Sequence, residues 1–337
     1  MRKLKILFVD AAVNISISDS ARGYLNALKR AGHDVYHFNT TARIAYNAVA
    51  LKNGPQPDMA ENFPLTSRLA SEGIVVEALR QRSDLVVIAS GLALHPDGLE
   101  LLNRTGQFPT ALILTESPYD DERQRTFSRH AGHVFTNDRY SARENGWHYL
   151  ASAYDPEFHH PYEFDRDQAC DVLFVGTGWP ERTKLLEGVD WTGINLKILG
   201  IWPDIKDDSP LAPYYTKDAV SNDETARLYS SARVTINHHR HHPLAESLSP
   251  RGFELGGCGA FQVSDWRPEL DEAYRGTVPV YDGSADLERI VRHHLDDGSW
   301  LTLTSLRSKQ REALQLGHHT FDDRVVQMMD VLSGVRV

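Results

Sequence analysis

Short apolar runs recur along this chain, each followed by a stretch with helical spacing, and this recurrence constrains the fold more than any other feature. The first run, Leu4-Lys5-Ile6-Leu7-Phe8-Val9-Asp10, leads through a polar loop (Asn14 to Ser20) into a helical pattern from Ala21 to Arg30. Ala31-Gly32-His33-Asp34 closes that helix, and Val35-Tyr36-His37-Phe38 reads as the next strand. Strand, helix and strand within about 35 residues are a βαβ unit on a parallel sheet. Asp84 to Ala89 and Thr110 to Thr115 are nearly continuous apolar runs, and His133 to Thr136 is a shorter one. Strands without alternation are buried on both faces, as when helices cover both sides of a parallel sheet. The pattern lapses between Tyr154 and Asp167, where Asp155-Pro156-Glu157-Phe158-His159-His160-Pro161 has two prolines and no period. That stretch reads as a linker.

A second alternation then starts. Strands are expected at 171–176, 195–200, 234–237, 259–263 and 277–281, with helices at 181–187, 223–231 and 253–257. Helices at 286–295 and 322–332 finish the chain. With 337 residues the chain suits two domains. The expected division is an N-terminal α/β domain over 1–155, a linker over 156–168, a C-terminal domain over 169–320 and a last helix in 321–337.

Composition limits the function. Lys plus Arg is 36 and Asp plus Glu is 46, giving a net charge of −10. No global attraction to phosphate polymers or anionic membranes follows from that balance. With 41% hydrophobic and 24% charged residues the chain is expected to be globular. Cys170 and Cys258 are the only cysteines, too few for a disulfide framework or a cysteine zinc site. No apolar stretch approaches the ~20 residues that span a bilayer, and the N-terminus has no signal-peptide core. A cytoplasmic protein without membrane insertion is expected.

Ligands of open α/β sheets bind outside the carboxyl ends of the strands, so the chemistry is sought in those loops. The richest block runs from Asn237 to Phe261. Ser249-Pro250 fits a helix start, and a helix N-terminus offers unpaired N–H groups and a positive end to a phosphate. Arg251 in the first turn adds a bidentate donor, and Glu254 one turn on can accept two ribose hydroxyls. The alternative is a surface ion pair between the two. Seven residues separate Glu246 from Glu254. Gly176-Thr177-Gly178 is a glycine loop at a strand end, too short for a dinucleotide fingerprint and equally a tight turn. His238-His239-Arg240-His241-His242 invites a metal, yet it follows a strand directly and has no carboxylate before Glu246, so a polar loop without metal is expected. In the N-terminal half, Asp19, Ser20 and Arg22 are either contact residues or a helix cap. Glu116, after the buried run ending at Thr115, is the first candidate for a general base and Asp19 the second.

The string Ser-Pro-Arg-x-Phe-Glu-x4-Gly-x-Phe, after a strand ending in Ile236-Asn237, resembles the donor-binding block of GT-B glycosyltransferases. More narrowly it resembles the CgeB-like (spore maturation protein) branch. Asp171 to Gly178 with Arg182, Val280-Tyr281-Asp282 with Asp286-Leu287, and His319 to Arg324 are similar to further motifs there, so the likeness spans roughly residues 4 to 330. The resemblance implies two Rossmann-like domains facing a cleft, with the final helix returning to the first. It implies that Glu254 holds the donor ribose and Arg251 the diphosphate, that Glu246 touches the sugar, and that Gly176, Gly178, Arg182 and Lys184 lie near the phosphates. Asn237, Arg240 and Ser249 are further candidates for donor contact. No cofactor is expected beyond a nucleotide-sugar substrate, with a UDP-sugar as donor. The implied function is metal-independent transfer of a sugar to an acceptor hydroxyl. Two alternatives stand beside it: a bacteriophage-type enzyme acting on a modified DNA base or a virion protein, and a non-catalytic module that binds nucleotide-sugars.

Overall fold

The structure, a computed structural model, describes residues 2–12, 15–52, 63–217, 220–296 and 300–334. The chain divides into two units, the first drawing on residues 1–151 and 321–334 and the second spanning Ser152–Thr320.

In the first unit the apolar runs become strands. Its elements are β1 (Lys5–Val9), α1 (Ile15–Arg30), β2 (Asp34–Phe38), α2 (Thr40–Lys52), α3 (Phe63–Gln81), β3 (Leu85–Ala89), α4 (Pro96–Arg104), β4 (Thr110–Leu114), α5 (Asp121–Ser128), β5 (His133–Thr136), α6 (Arg139–Asn145) and β6 (His148–Tyr149). Its strands are all parallel, in the order β2-β1-β3-β4-β5-β6. Every residue of β3 and β4 is buried, which is why neither run alternates. Leu7, Ile74, Ile88, Leu99 and Leu112 form the centre of the core. One expectation is corrected here. The loop anticipated over 14–20 is helix from Ile15 onward, while Asn14 lies outside the described residues. Asp19 and Ser20 therefore stand inside α1 and not at its cap.

The second unit contains β7 (Cys170–Val175), α7 (Pro180–Glu187), β8 (Leu196–Leu199), β9 (Tyr215–Thr216), α8 (Asn222–Ser231), β10 (Ala232–Asn237), α9 (Pro250–Gly257), β11 (Gln262–Ser264), α10 (Pro268–Tyr274), α11 (Ser284–Asp296) and α12 (Trp300–Leu316). Its parallel sheet has the order β11-β10-β7-β8-β9. Val172 of the central strand faces Leu196 on one side and Val234 on the other. Phe174, Leu186, Trp202, Ile236 and Phe261 share its main core. The strand expected at 277–281 reduces to one bridge, Val280 beside Ser264. Pro279 has no N–H to give to a ladder. The stretch 156–168 is not a free connector. Tyr162 N donates to Ser230 Oγ at 3.0 Å and Asp165 N to Ser231 Oγ at 3.1 Å, so it lies against the second unit.

The last helix, α13 (Phe321–Leu332), belongs to the first unit. Phe321 meets Tyr24 edge-on at 4.9 Å, and a Cβ at Gly23 would overlap its ring. Arg30 pairs with Asp322 at 2.8 Å, and the buried Arg324 donates to the Ala151 carbonyl at 3.0 Å.

Candidate functional site

β7 ends at Val175 and the chain turns through Gly176-Thr177-Gly178 toward α7. Gly176 has φ +149°, a backbone that side chains rarely adopt, and a Cβ there would overlap the Arg251 guanidinium. The missing side chain lets an arginine from α9 lie against the loop. Arg251 sits over the Phe174 ring at 5.1 Å, and Arg182, from the first turn of α7, at 5.7 Å. Both distances allow attraction between cation and ring. Neither arginine forms an ion pair among the described residues.

The two arginines are held differently. Arg182 is 5% exposed and spends its terminal nitrogens on the carbonyls of Thr177, at 2.8 Å, and His238. Burial, and then the neighbouring charge of Arg251, push Arg182 down to about 9, against the pull of Asp265 and Glu181. Arg182 thus ties the loop after β7 to the loop after β10. In Arg251, by contrast, Nη1 is buried with no hydrogen-bond partner. An unpartnered donor beside a second cation is a place that an anion would stabilise.

α9 completes this end of the sheet. Ser249 caps it with an extended backbone but makes no side-chain cap; its Oγ donates to Asn237 Oδ1 at 3.1 Å. Pro250 at the first position has no N–H to satisfy. The positive end of the helix therefore stands beside Arg251. Glu254 lies one turn on and is half-buried. Burial pushes its carboxyl up to about 7, with Arg251 acting in the opposite direction.

Behind these residues lies a buried polar network. Asn237 Nδ2 donates to Ser264 Oγ at 3.1 Å, and the Tyr281 hydroxyl donates to the Asn237 carbonyl at 2.8 Å. His239 is buried, with Nδ1 2.7 Å from Asp265 Oδ1, and its backbone N donates to the same oxygen at 2.9 Å. Burial alone would raise the Asp265 carboxyl; the charge and bonds of His239 outweigh it and hold the group well below the usual carboxylate range. His238 stacks on Tyr281 with ring planes 14° apart, and burial pushes its imidazole down to about 4. The histidine run is a structural loop in which these two rings have partners inside the unit. Among the described residues no group of three or more His, Cys, Asp or Glu could hold a metal.

Gly176, Gly178, Arg182, Asn237, Ser249, Arg251 and Glu254 thus converge at the carboxyl edge of β7 and β10. Arg240, three residues past β10, stands 4.6 Å over the ring of Trp179, which follows Gly178 at the same edge. Lys184 is exposed on α7. Glu246 is half-buried in the loop before α9, where its carbonyl accepts from Glu269 N at 3.2 Å. Glu116 lies in the turn after β4 and donates its N–H to Gln124 Oε1 at 3.3 Å. With Asp19 it belongs to the first unit. Sequence reasoning missed Phe174, Asp265 and the role of Tyr281. Asp265 had a readable signal, a carboxylate two residues after the strand pattern ending at Val263, but nothing in the sequence pairs it with His239.

Residues 166–330, a little under half of the chain, match the model of a family described as glycosyl transferase-like. No curated protein matches the sequence. Among solved structures, an alpha-glucosyltransferase in complex with UDP superposes with a TM-score of 0.70 at 12% identity, over 98% of this chain and 100% of that one. An alpha-glucosyltransferase in complex with UDP and a 13-mer DNA containing a central A:G mismatch gives 0.69 at 11%, again over 98% and 100%. Anabaena HepE in complex with UDP-glucose gives 0.64 at 13%, over 98% and 100%. At such identities the likeness is one of fold, and the fold is GT-B.

Proposed function

We propose that this chain, a GT-B glycosyltransferase, moves a sugar from a UDP-sugar to an acceptor hydroxyl and receives the leaving diphosphate on Arg251 and the N-terminus of α9. The observation that carries the reading is the pair of guanidiniums over Phe174, neither in an ion pair among the described residues and one of them with an unsatisfied buried nitrogen. UDP or UDP-glucose in the structural neighbours supports a uridine donor. Within the glycosyltransferases, the motif string around Arg251 favours the CgeB-like branch.

In the reaction, the bond between the anomeric carbon and the diphosphate oxygen breaks, and negative charge gathers on the phosphates. Arg251 and the helix end stabilise that charge where it develops, in fixed positions that need no reorganisation. Glu254, ionised, accepts the ribose hydroxyls in charge-assisted bonds. Arg182 acts one step back by holding the Thr177 and His238 carbonyls. Glu246 reaches the sugar. For inversion, Glu116 is the first candidate to take the acceptor proton and Asp19 the second. These groups suffice without a metal, so donor binding should persist in EDTA.

Titration of UDP and uridine by calorimetry tests this. Glu254→Gln keeps the shape and weakens bonds worth ~1.5–3 kcal/mol each, so both ligands should bind at least about tenfold more weakly. Arg251→Lys replaces a fork by a point charge, so UDP should weaken and uridine hardly change. Wild-type affinity in both variants would remove the reading. A duplex DNA acceptor is the second reading, favoured by the DNA-bound relative and opposed by the net charge of −10. Transfer of labelled sugar to a duplex carrying a hydroxyl-bearing modified base, absent with an unmodified duplex, would establish it.

A further inference from the structure

α2 and α3 pack on each other in the first unit, and both are apolar on two faces. The inner face of α3 buries Ala70, Ile74, Val75 and Ala78. Its outer face carries Leu65, Leu69, Val76 and Leu79, all more than a third exposed, with Val76 at 53%. α2 adds Tyr46, 68% exposed, and Val49. A helix with apolar residues on both faces is normally covered on both. Contiguous exposed apolar surface of this kind marks an interface.

We propose that this face pairs with the same face of a second copy of the chain, through antiparallel packing of α3 on α3 about a two-fold axis near Glu72. Positions 65, 69, 72, 76 and 79 follow the 4-3-4-3 spacing of helices that lie lengthwise on another helix. Antiparallel pairing sets Leu65 near Leu79 of the partner subunit and Leu69 near the partner subunit's Val76. It also brings Arg68 within reach of the partner subunit's Glu72. Glu72 is on the stripe and Arg68 flanks it, with Arg68 Nε 3.3 Å from Glu72 Oε1 in one chain. Arg68 Nη2 also lies 3.5 Å from Asp97 Oδ2. A two-fold operator sets each Arg68 beside the Glu72 carboxylates of both copies, so the surface complements itself in charge.

A lipid surface is a poorer occupant, because Glu72 stands in the middle of the stripe and the chain carries −10. The size also fits a modest dimer. Helices of 19 and 13 residues, rising 1.5 Å per residue and about 10 Å wide, present a face of the order of 500 Å². That is near the low end for specific interfaces, about 600 Å² a side, so dissociation in the micromolar range is expected.

Sedimentation equilibrium of the full chain tests the pairing over a range reaching about 200 µM, well above the micromolar dissociation expected. The wild type should show a reversible monomer–dimer equilibrium. Val76→Glu should be a monomer throughout while keeping both thermal transitions of the wild type in calorimetric scanning, which shows that the first unit is folded. Arg68→Glu and Glu72→Arg should each weaken the dimer at least about tenfold, and the double exchange R68E/E72R should recover it. A wild type that stays monomeric would overturn the proposal. So would a dimer indifferent to Val76→Glu, or singles and double exchange that weaken it alike. Flotation with phosphatidylglycerol vesicles covers the lipid case: binding that Val76→Glu abolishes, with no dimer in solution, also overturns it.

Discussion

Glu254 keeps its proton into a pH range where an ordinary carboxyl has lost it, because burial raises it from 4.5 to about 7. Between those values the folded chain binds more protons than the unfolded one, so stability falls as pH rises through that window. At 1.36 kcal/mol per unit the loss is at most about 3 kcal/mol. Glu254→Gln removes the ionisation, so the variant should melt above the wild type at pH 8 and with it at pH 4.5 to 5. Thermal unfolding at the two pH values reads this directly. Ribose hydroxyls prefer the ionised carboxylate, so UDP should bind the wild type more tightly as pH rises through about 7, with proton release visible in buffers of different ionisation enthalpy. Both outcomes together would mark Glu254 as a residue held for the ligand. Arg251 and Glu254 were legible because helix phase alone puts them one turn apart behind Ser-Pro. Phe174 was not, since an apolar residue in a buried strand looks the same whether or not two guanidiniums rest on it. The carboxylate of Asp265 was invisible as a partner because its histidine lies 26 positions earlier.

At the scale of elements, Gly176 decides whether the loop after β7 can receive Arg251. Gly176→Ala adds a methyl where the guanidinium lies and strains a backbone at φ +149°. Calorimetry should show weaker UDP binding by about tenfold or more, while the far-UV spectrum stays that of the wild type, since only the loop must shift. The central strands and the helix after Ser249 were legible because continuous apolar runs and proline punctuation are strong local signals. α2 and α3 were not. Apolar residues on both faces erase the 3.6-residue period that would have shown them. In α12, Leu301 is 80% exposed while Gln310 is buried, so its pattern misleads in the same way. Two-residue edge strands such as β6 and β9 hold too few positions to alternate. The start of α1 was placed six residues late because serines and asparagine favour caps and turns and so read as loop.

At the scale of the whole molecule, the first unit is discontinuous in sequence. Phe321 against Tyr24 and Arg324 against the Ala151 carbonyl are contacts of that unit alone. Ending the chain after Thr320 should therefore destabilise the first unit and leave the second. Removing a buried phenylalanine alone costs about 3–5 kcal/mol. Calorimetric scanning should show the lower-stability transition in the truncated chain falling sharply, while UDP still shifts the other transition upward. Loss of both together would mean that the units unfold as one.

That helix also sets a timetable for biosynthesis. Domains generally fold as they leave the ribosome, the N-terminal one first, at about 5–20 residues per second. Here the order is reversed. Tyr24 and Gly23 are made early, yet the ring that fills the space above Gly23 is synthesised about 300 residues later, which at those rates is a wait of roughly 15 to 60 seconds. Through that interval the second unit can complete its core while the first waits with an open flank, so a chain cut short before Phe321 has all of its later unit and lacks a piece of its earlier one.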